Sequence, residues 1–170
     1  MVRSYKAVNN QSIHTCTEED ASVLAGTIQR SFQDVADRFG LTRENASRHP
    51  SNCTVDWVLK DMNRGVVYFV LKDSGRVVGC AALEAAGSDI CYLERLAVLP
   101  EHRKQGFGKT LVDHILSEAR VRKARSVNIG IIAEQTELKD WYRRIGFVEG
   151  ESKDFPHLPF RVTFMSYEFV

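Results

Sequence analysis

Leu93-Glu94-Arg95-Leu96-Ala97-Val98-Leu99-Pro100-Glu101-His102-Arg103-Lys104-Gln105-Gly106-Phe107-Gly108-Lys109-Thr110 contains a strand, a turn and the start of a helix in eighteen consecutive positions. The apolar run ends at Pro100, two glycines follow within a basic stretch, and Leu111, Ile115 and Ala119 then recur on one helical face. A helix entered in this way presents unpaired backbone N–H groups at the positive end of its dipole, which is an anion site. Gly106 and Gly108 let a ligand come close to the backbone, and Arg103, Lys104 and Lys109 add positive charge. The expected guest is a phosphate or pyrophosphate.

The flanking elements read outward from this turn. Ser12 to Cys16 is a short strand candidate, and Thr17-Glu18-Glu19-Asp20 has the form of a capping box. Leu24, Ile28, Phe32, Val35 and Phe39 then mark one face of a long helix that Gly40 can end. Thr54 can cap a second helix with Val55, Val58, Leu59 and Met62 inward. Val66 to Leu71 and Val77 to Leu83, joined by Lys72-Asp73-Ser74-Gly75-Arg76, form an antiparallel hairpin. Ile90 to Leu99 is the next strand, and a helix follows from 107 to 122. Val127, Ile129 and Ile131 alternate as another strand. Leu138, Trp141 and Ile145 mark a short helix ending at Gly146, and Phe147-Val148 with Phe160 to Val170 suggest a closing strand pair. The expected fold class is α/β (α+β mixed), a single domain over residues 1–170 with a twisted sheet of about six or seven strands and flanking helices.

Composition narrows the function. With 170 residues, 44% of them hydrophobic, the chain can bury roughly 70% of its unfolded surface in one core. The 23 Lys and Arg nearly balance 22 Asp and Glu, whereas nucleic-acid binders draw their affinity from a basic excess, so no nucleic-acid partner is expected. The longest apolar run, Val66 to Leu71, is far short of a membrane span, and Met1 to Lys6 lacks the apolar stretch of a signal peptide. A cytoplasmic location with no membrane partner is the expectation. Cys16, Cys53, Cys80 and Cys91 show no metal-ligand spacing, and no metal is expected.

Three phosphate-binding readings compete for the turn, beside a glycine turn that holds no ligand. A P-loop needs glycine where Arg103 stands, and a dinucleotide fingerprint needs glycine where Leu111 stands. The third is a resemblance. Arg103-Lys104-Gln105-Gly106-Phe107-Gly108 has the [RQ]xxGx[GA] form of the GNAT superfamily, the acyl-CoA-dependent N-acetyltransferases. Trp141-Tyr142-Arg143-Arg144-Ile145-Gly146-Phe147 resembles that family's second signature, Tyr-x-x-x-Gly-Phe at the end of a short helix. The resemblance implies acetyl-CoA as acyl-donor cosubstrate, lying where the strands at 90–99 and 127–131 splay apart. It implies backbone pairing of Leu96 and Val98, through Ala97, with the pantetheine arm. It implies that amides from Arg103, Lys104, Gln105, Gly106, Phe107 and Gly108, with Lys109 and Thr110, hold the pyrophosphate. Leu138 belongs to the same site, and Gln135 stands where the family often has an Asn touching pantetheine.

The chemistry sets two further roles. An amine with pKa ~10.4 costs roughly 4.6 kcal/mol to deprotonate at pH 7, so a base in the site is useful. The leaving thiolate, near 8.5, is close enough to a phenol for proton donation to cost only about 2 kcal/mol. Tyr142 matches the family position facing the thioester sulfur; one turn from Leu138, it also reads as plain core. Glu94 is the base candidate, on an apolar strand face with Tyr92, Leu96 and Val98 that would raise its pKa; an ion pair with a nearby Arg is the alternative. His157 is a third, surface candidate, and His102 and His114 read as surface. The expected reaction is acetyl transfer to a primary amine by direct attack, with no covalent acyl-enzyme. The alternative is a CoA-binding sensor module without catalysis. The acceptor, a small-molecule or peptide amine, would be chosen by Leu41 to Cys53 and Gly150 to Pro159. A homodimer stays open.

Overall fold

The computed structural model describes residues 9–170. Among the described residues seven strands form one sheet: β1 (Gln11–Thr15), β2 (Val67–Asp73), β3 (Arg76–Ala86), β4 (Ile90–Val98), β5 (Ser126–Ile132), β6 (Val148–Asp154) and β7 (Arg161–Glu168). Their order is β1-β2-β3-β4-β5-β7-β6, antiparallel throughout except for the β4–β5 pair. Four helices complete it: α1 (Ala21–Phe39), α2 (Val55–Asn63), α3 (Phe107–Val121) and α4 (Thr136–Ile145). This is the expected α/β fold.

The capping box forms, with the Thr17 N–H donating to Asp20 Oδ2 at 2.9 Å, and it opens a short 3-10 turn ahead of α1. One apolar layer joins α3 and α4 to Phe69, Leu83, Leu93 and Ile129 on one face of the sheet. On the other face α1 and α2 cover Tyr68, Cys80, Ala82 and Ala97. Cys80 and Cys91 are buried free thiols.

The β4–β5 pair is the feature that makes a site. Its register covers only Ile90 to Tyr92 against Ser126 to Asn128. Beyond these residues the strands diverge, and the β5-facing edge of β4 from Leu93 onward has no strand partner. Such an edge invites an extended ligand to add to the sheet.

A β-bulge then reverses the pattern of β4. Glu94 pairs with Ala82 but Ala97 pairs with Cys80, so Arg95 and Leu96 together oppose one residue. Arg95 takes a left-handed backbone at φ 51°. Its guanidinium is anchored across the sheet: Nε donates to Tyr68 Oη at 2.9 Å and to Asp61 Oδ2 at 3.1 Å, and the group stacks 5.3 Å from the Trp57 ring. Although burial opposes it, the Tyr68 hydroxyl and the Arg95 charge hold the Asp61 carboxyl below the usual carboxylate range.

This bulge corrects one expectation. Strict alternation puts Glu94 on the face of Leu96 and Val98. In the structure Leu96 and Val98 pack on the α3/α4 side, while Tyr92 and Glu94 precede the bulge and share the α1/α2 face with Ala82. A second correction concerns Gly150 to Pro159, which reads as loop; β6 continues through Asp154, exposed along nearly its whole length. His114 also differs from its surface reading, its ring lying edge-on to Phe69 at 4.6 Å.

Gly79 sets how closely β3 and β4 can lie. A Cβ there would stand 2.4 Å from the backbone oxygen of Ala97 and 3.2 Å from Leu111. Gly79→Ala is therefore expected to destabilise the domain by about 3 kcal/mol, the upper part of the overpacking range. A fall in Tm of about 6–12 °C by differential scanning calorimetry checks this.

Candidate active site

A cavity of about 520 Å³ opens beside the end of β4, between the second half of α1, the start of α3 and α4. Leu96, Ala97 and Val98 form its floor. Arg103, Lys104, Gly106, Phe107, Gly108 and Lys109 line the end at which a phosphate is expected, and Gln135 and Leu138 lie on the α4 wall. Gln105 and Thr110 stand outside the lining; the Thr110 hydroxyl bonds back to the Gly106 carbonyl at 3.1 Å.

The turn has the backbone an anion needs. Lys104 and Gly106 both adopt left-handed conformations, at φ 62° and 84°. Gly106 is the N-cap of α3 and no side chain caps that helix, so its first N–H groups keep their positive end uncovered. Gly108 has a packing role as well: a Cβ there would meet Trp141 Cζ2 at 3.2 Å. The residues therefore fit an anionic ligand held by main chain.

Two expected cationic contributions are weaker than the sequence implies. The Arg103 guanidinium turns inward, donating to Asp34 at 2.7 Å, the Ser31 carbonyl at 2.6 Å and the Val98 carbonyl at 3.2 Å. Its charge ties α1 to the loop, and the Val98 carbonyl already has a donor. Lys109 pairs with Asp113 at 2.8 Å on the exposed face of α3. Main-chain dipoles thus carry more of the anion attraction than these side chains.

Tyr142 projects from α4 into the α3/α4 layer, its ring edge-on to Trp141 at 4.9 Å and Phe147 at 5.2 Å. It is buried, 4% exposed, and burial pushes its hydroxyl well above the ordinary phenol value. The group therefore stays protonated at every working pH. Neither it nor Glu94 lines the cavity proper.

Glu94 lies half-buried on the opposite face. Burial, a hydrogen bond with Glu84 and the Glu84 charge push its carboxyl up to about 7, while Arg95 and Arg64 pull the other way. The two candidates thus lie on opposite faces of the sheet. Asn128 sits beside Tyr92 at the point of divergence, with Oδ1 buried and unpartnered. Gly130, farther along β5, is exposed within the sheet. His157 lies beside Phe155 in the β6–β7 connection.

Sequence reasoning missed the α1 wall, where Ser31, Phe32, Asp34 and Val35 face the cavity. Phe32 and Val35 were legible only as core positions of an amphipathic helix. Leu41 to Cys53 packs onto that helix and is anchored rather than free, with Leu41, Ala46, His49, Ser51 and Cys53 buried and His49 Nδ1 bonded to Ser51 Oγ at 2.8 Å.

Because the glycines shape the phosphate end, their replacement has distinct expected effects. Gly108→Val is expected to displace the Trp141 ring and weaken CoA binding at least about tenfold, roughly 1.4 kcal/mol. Gly106→Val forces a β-branched residue into a left-handed backbone at about 1–3 kcal/mol of strain, so Tm falls along with CoA affinity. Calorimetric titration and thermal melts of both variants check this; unchanged affinity in a folded Gly108→Val protein takes the turn out of the site.

Comparison with known proteins agrees with this geometry. Residues 64–149, half of the chain, match the sequence profile of the acetyltransferase (GNAT) domain. The chain is 31% identical over 91 residues to an amino-acid acetyltransferase of Neisseria meningitidis, which covers 52% of this chain and 20% of that protein. It is 29% identical over 92 residues to an uncharacterised N-acetyltransferase of Chlorobaculum tepidum, covering 52% of this chain and 54% of the relative. These matches therefore span only about a fifth and about half of the relatives' lengths. Among solved structures, the PaiA N-acetyltransferase of Thermoplasma acidophilum in complex with coenzyme A superposes with a TM-score of 0.76 at 16% identity, covering 94% of this chain and 99% of that one. The ribosomal-protein-S18-alanine N-acetyltransferase of Escherichia coli gives 0.74 at 16% identity, with 93% of each chain covered. With its two signature motifs placed at the turn from β4 into α3 and at the end of α4, and a profile match across half its length, the chain belongs to the GNAT superfamily of acetyltransferases.

Proposed function

We propose that this protein is an acyl-CoA-dependent N-acetyltransferase that moves an acetyl group from acetyl-CoA to a primary amine by direct attack. The observation that carries the reading is the early parting of β4 and β5, which leaves an unpaired strand edge leading from the uncapped start of α3 into a cavity. An extended, phosphate-ended thioester matches that shape: main chain at Leu96 pairs with its arm, and amides at Gly106 to Lys109 hold its pyrophosphate.

The acceptor reaches the gap from the α1/α2 face. Glu94 takes one proton from its ammonium group, and the freed nitrogen lone pair attacks the thioester carbon to give a tetrahedral intermediate. As that intermediate collapses, the C–S bond breaks and the nitrogen releases its second proton to solvent, which balances the one that Tyr142 recovers. Tyr142, on the opposite face, donates its hydroxyl hydrogen to the departing sulfur and regains one from solvent. The products are an amide, free CoA and the proton carried by Glu94. With its phenol held high by burial, Tyr142 acts as a hydrogen-bond donor that transfers its proton only as thiolate forms beside it.

Calorimetric titration with CoA and with ATP tests the reading. CoA is expected to bind and ATP to leave the calorimeter silent; binding of ATP with no response to CoA would mean a nucleotide site instead.

A further inference from the structure

Glu94 does not sit alone. Glu84 on β3 pairs with Tyr92, and Glu94 pairs with Ala82, so the two glutamates are diagonal neighbours on one face of an antiparallel ladder. Diagonal neighbours on a ladder are within reach of long side chains, so two glutamates placed there can bring their carboxyl groups together. Two carboxylates brought together repel, and the arrangement holds together when one proton lies between them. Glu84 is itself fixed from behind: Arg64, just past the end of α2, hydrogen-bonds Glu84 through one guanidinium nitrogen and Asp61 Oδ1 through the other at 2.9 Å. Asp61 in turn holds Arg95, the left-handed residue of the bulge next to Glu94. An alternating chain of charges, Arg95, Asp61, Arg64, Glu84, therefore ends at Glu94.

The other groups on this face are Tyr92 on β4 itself, Tyr68 on β2, which donates to Asp61, and the uncharged Asn128 and Ser166 on β5 and β7. Arg95 is half-enclosed by Asp61, Tyr68 and Trp57. Arg64 is the cation whose charge falls on both glutamates.

We propose that Glu84 is a positioning residue for Glu94: the two carboxyl groups share a single proton across the β3–β4 ladder, and the Arg64 salt bridge on Glu84 loosens the pair's hold on that proton. This rests on the reading of Glu94 as the base, and it gives Glu84 and Arg64 opposite effects. Without the Glu84 charge and hydrogen bond, Glu94 loses its proton more readily. Without Arg64, only Arg95 offsets the negative pair, and the proton is held more tightly.

Carboxyl-carbon NMR titration of Glu94 in the CoA-free protein, run beside the kcat/KM profile, tests this in Glu84→Gln and Arg64→Gln. The Arg64 side chain is 49% exposed and that of Glu84 23% exposed, so both variants are expected to fold. The Glu94 midpoint is expected to move down by about one pH unit in Glu84→Gln and up in Arg64→Gln, with the acidic limb of kcat/KM following each. A purely structural role for Glu84 predicts no such opposed pair of shifts. Midpoints that stay put, or move in the same direction, overturn the proposal. Midpoints that move as expected while the acidic limb stays fixed uphold the shared proton and remove Glu94 from the base role.

Discussion

Tyr142→Phe is expected to lower kcat by about 10²–10³ while leaving KM for acetyl-CoA nearly unchanged. The substitution keeps the ring between Trp141 and Phe147 and deletes only the hydroxyl. In the proposed mechanism that hydroxyl is called on as negative charge collects on sulfur, so its loss is expected to fall on the transition state and not on ground-state binding. Burial strengthens the expectation: a donor in a dry layer has few competing partners and acts in a medium where charge is poorly screened. Single-turnover measurement of thiol release separates the chemical step from product release. A variant with normal single-turnover rates would return Tyr142 to a packing role.

Glu94→Gln is expected to cost about 10²-fold or more in kcat/KM and to remove its acidic limb. The sign follows from the raised carboxyl. Below about pH 7 Glu94 already carries a proton and cannot take the amine's, so in the wild type the rate climbs about tenfold per pH unit and levels off above that value. Glutamine fills the same space and can still bond with Glu84, but it accepts no proton. A pH series for both proteins decides the matter. Near-normal activity with the same acidic limb would mean that the amine arrives neutral from solvent and that Glu94 only positions it.

The fold was legible because the hydrophobic pattern is regular around the turn. Leu111, Ile115 and Ala119 specify the inner face of α3, and Val127, Ile129 and Ile131 the inner face of β5, with little interference from tertiary context. Gly106 and Gly108 disclose the anion end, since few other residues suit a left-handed cap or contact with a Trp141 ring. The bulge was hidden for a physical reason. Glu94-Arg95-Leu96-Ala97 contains no glycine or asparagine to mark a left-handed residue, and Arg95 takes that conformation because Asp61 and Tyr68, distant in sequence, bind its guanidinium. The same reasoning explains Arg103, which reads as a phosphate cation until Asp34 and the carbonyls of Ser31 and Val98 are found around it. The closing strand pair was legible from Phe147-Val148 and Phe160 to Val170, but the length of β6 was not, because Glu149 to Asp154 has no buried face to create a pattern; only pairing with β7 makes that part a strand.

Thiol release from acetyl-CoA across a library of primary amines, with the products weighed by mass spectrometry, tests the central claim most directly. The expected result is amine-dependent release of one thiol for each acetylated amine, strongly reduced in both Glu94→Gln and Tyr142→Phe. CoA binding at the β4–β5 gap, with no amine in the library raising thiol release or gaining an acetyl group, would contradict it and leave a protein that binds the thioester without spending it.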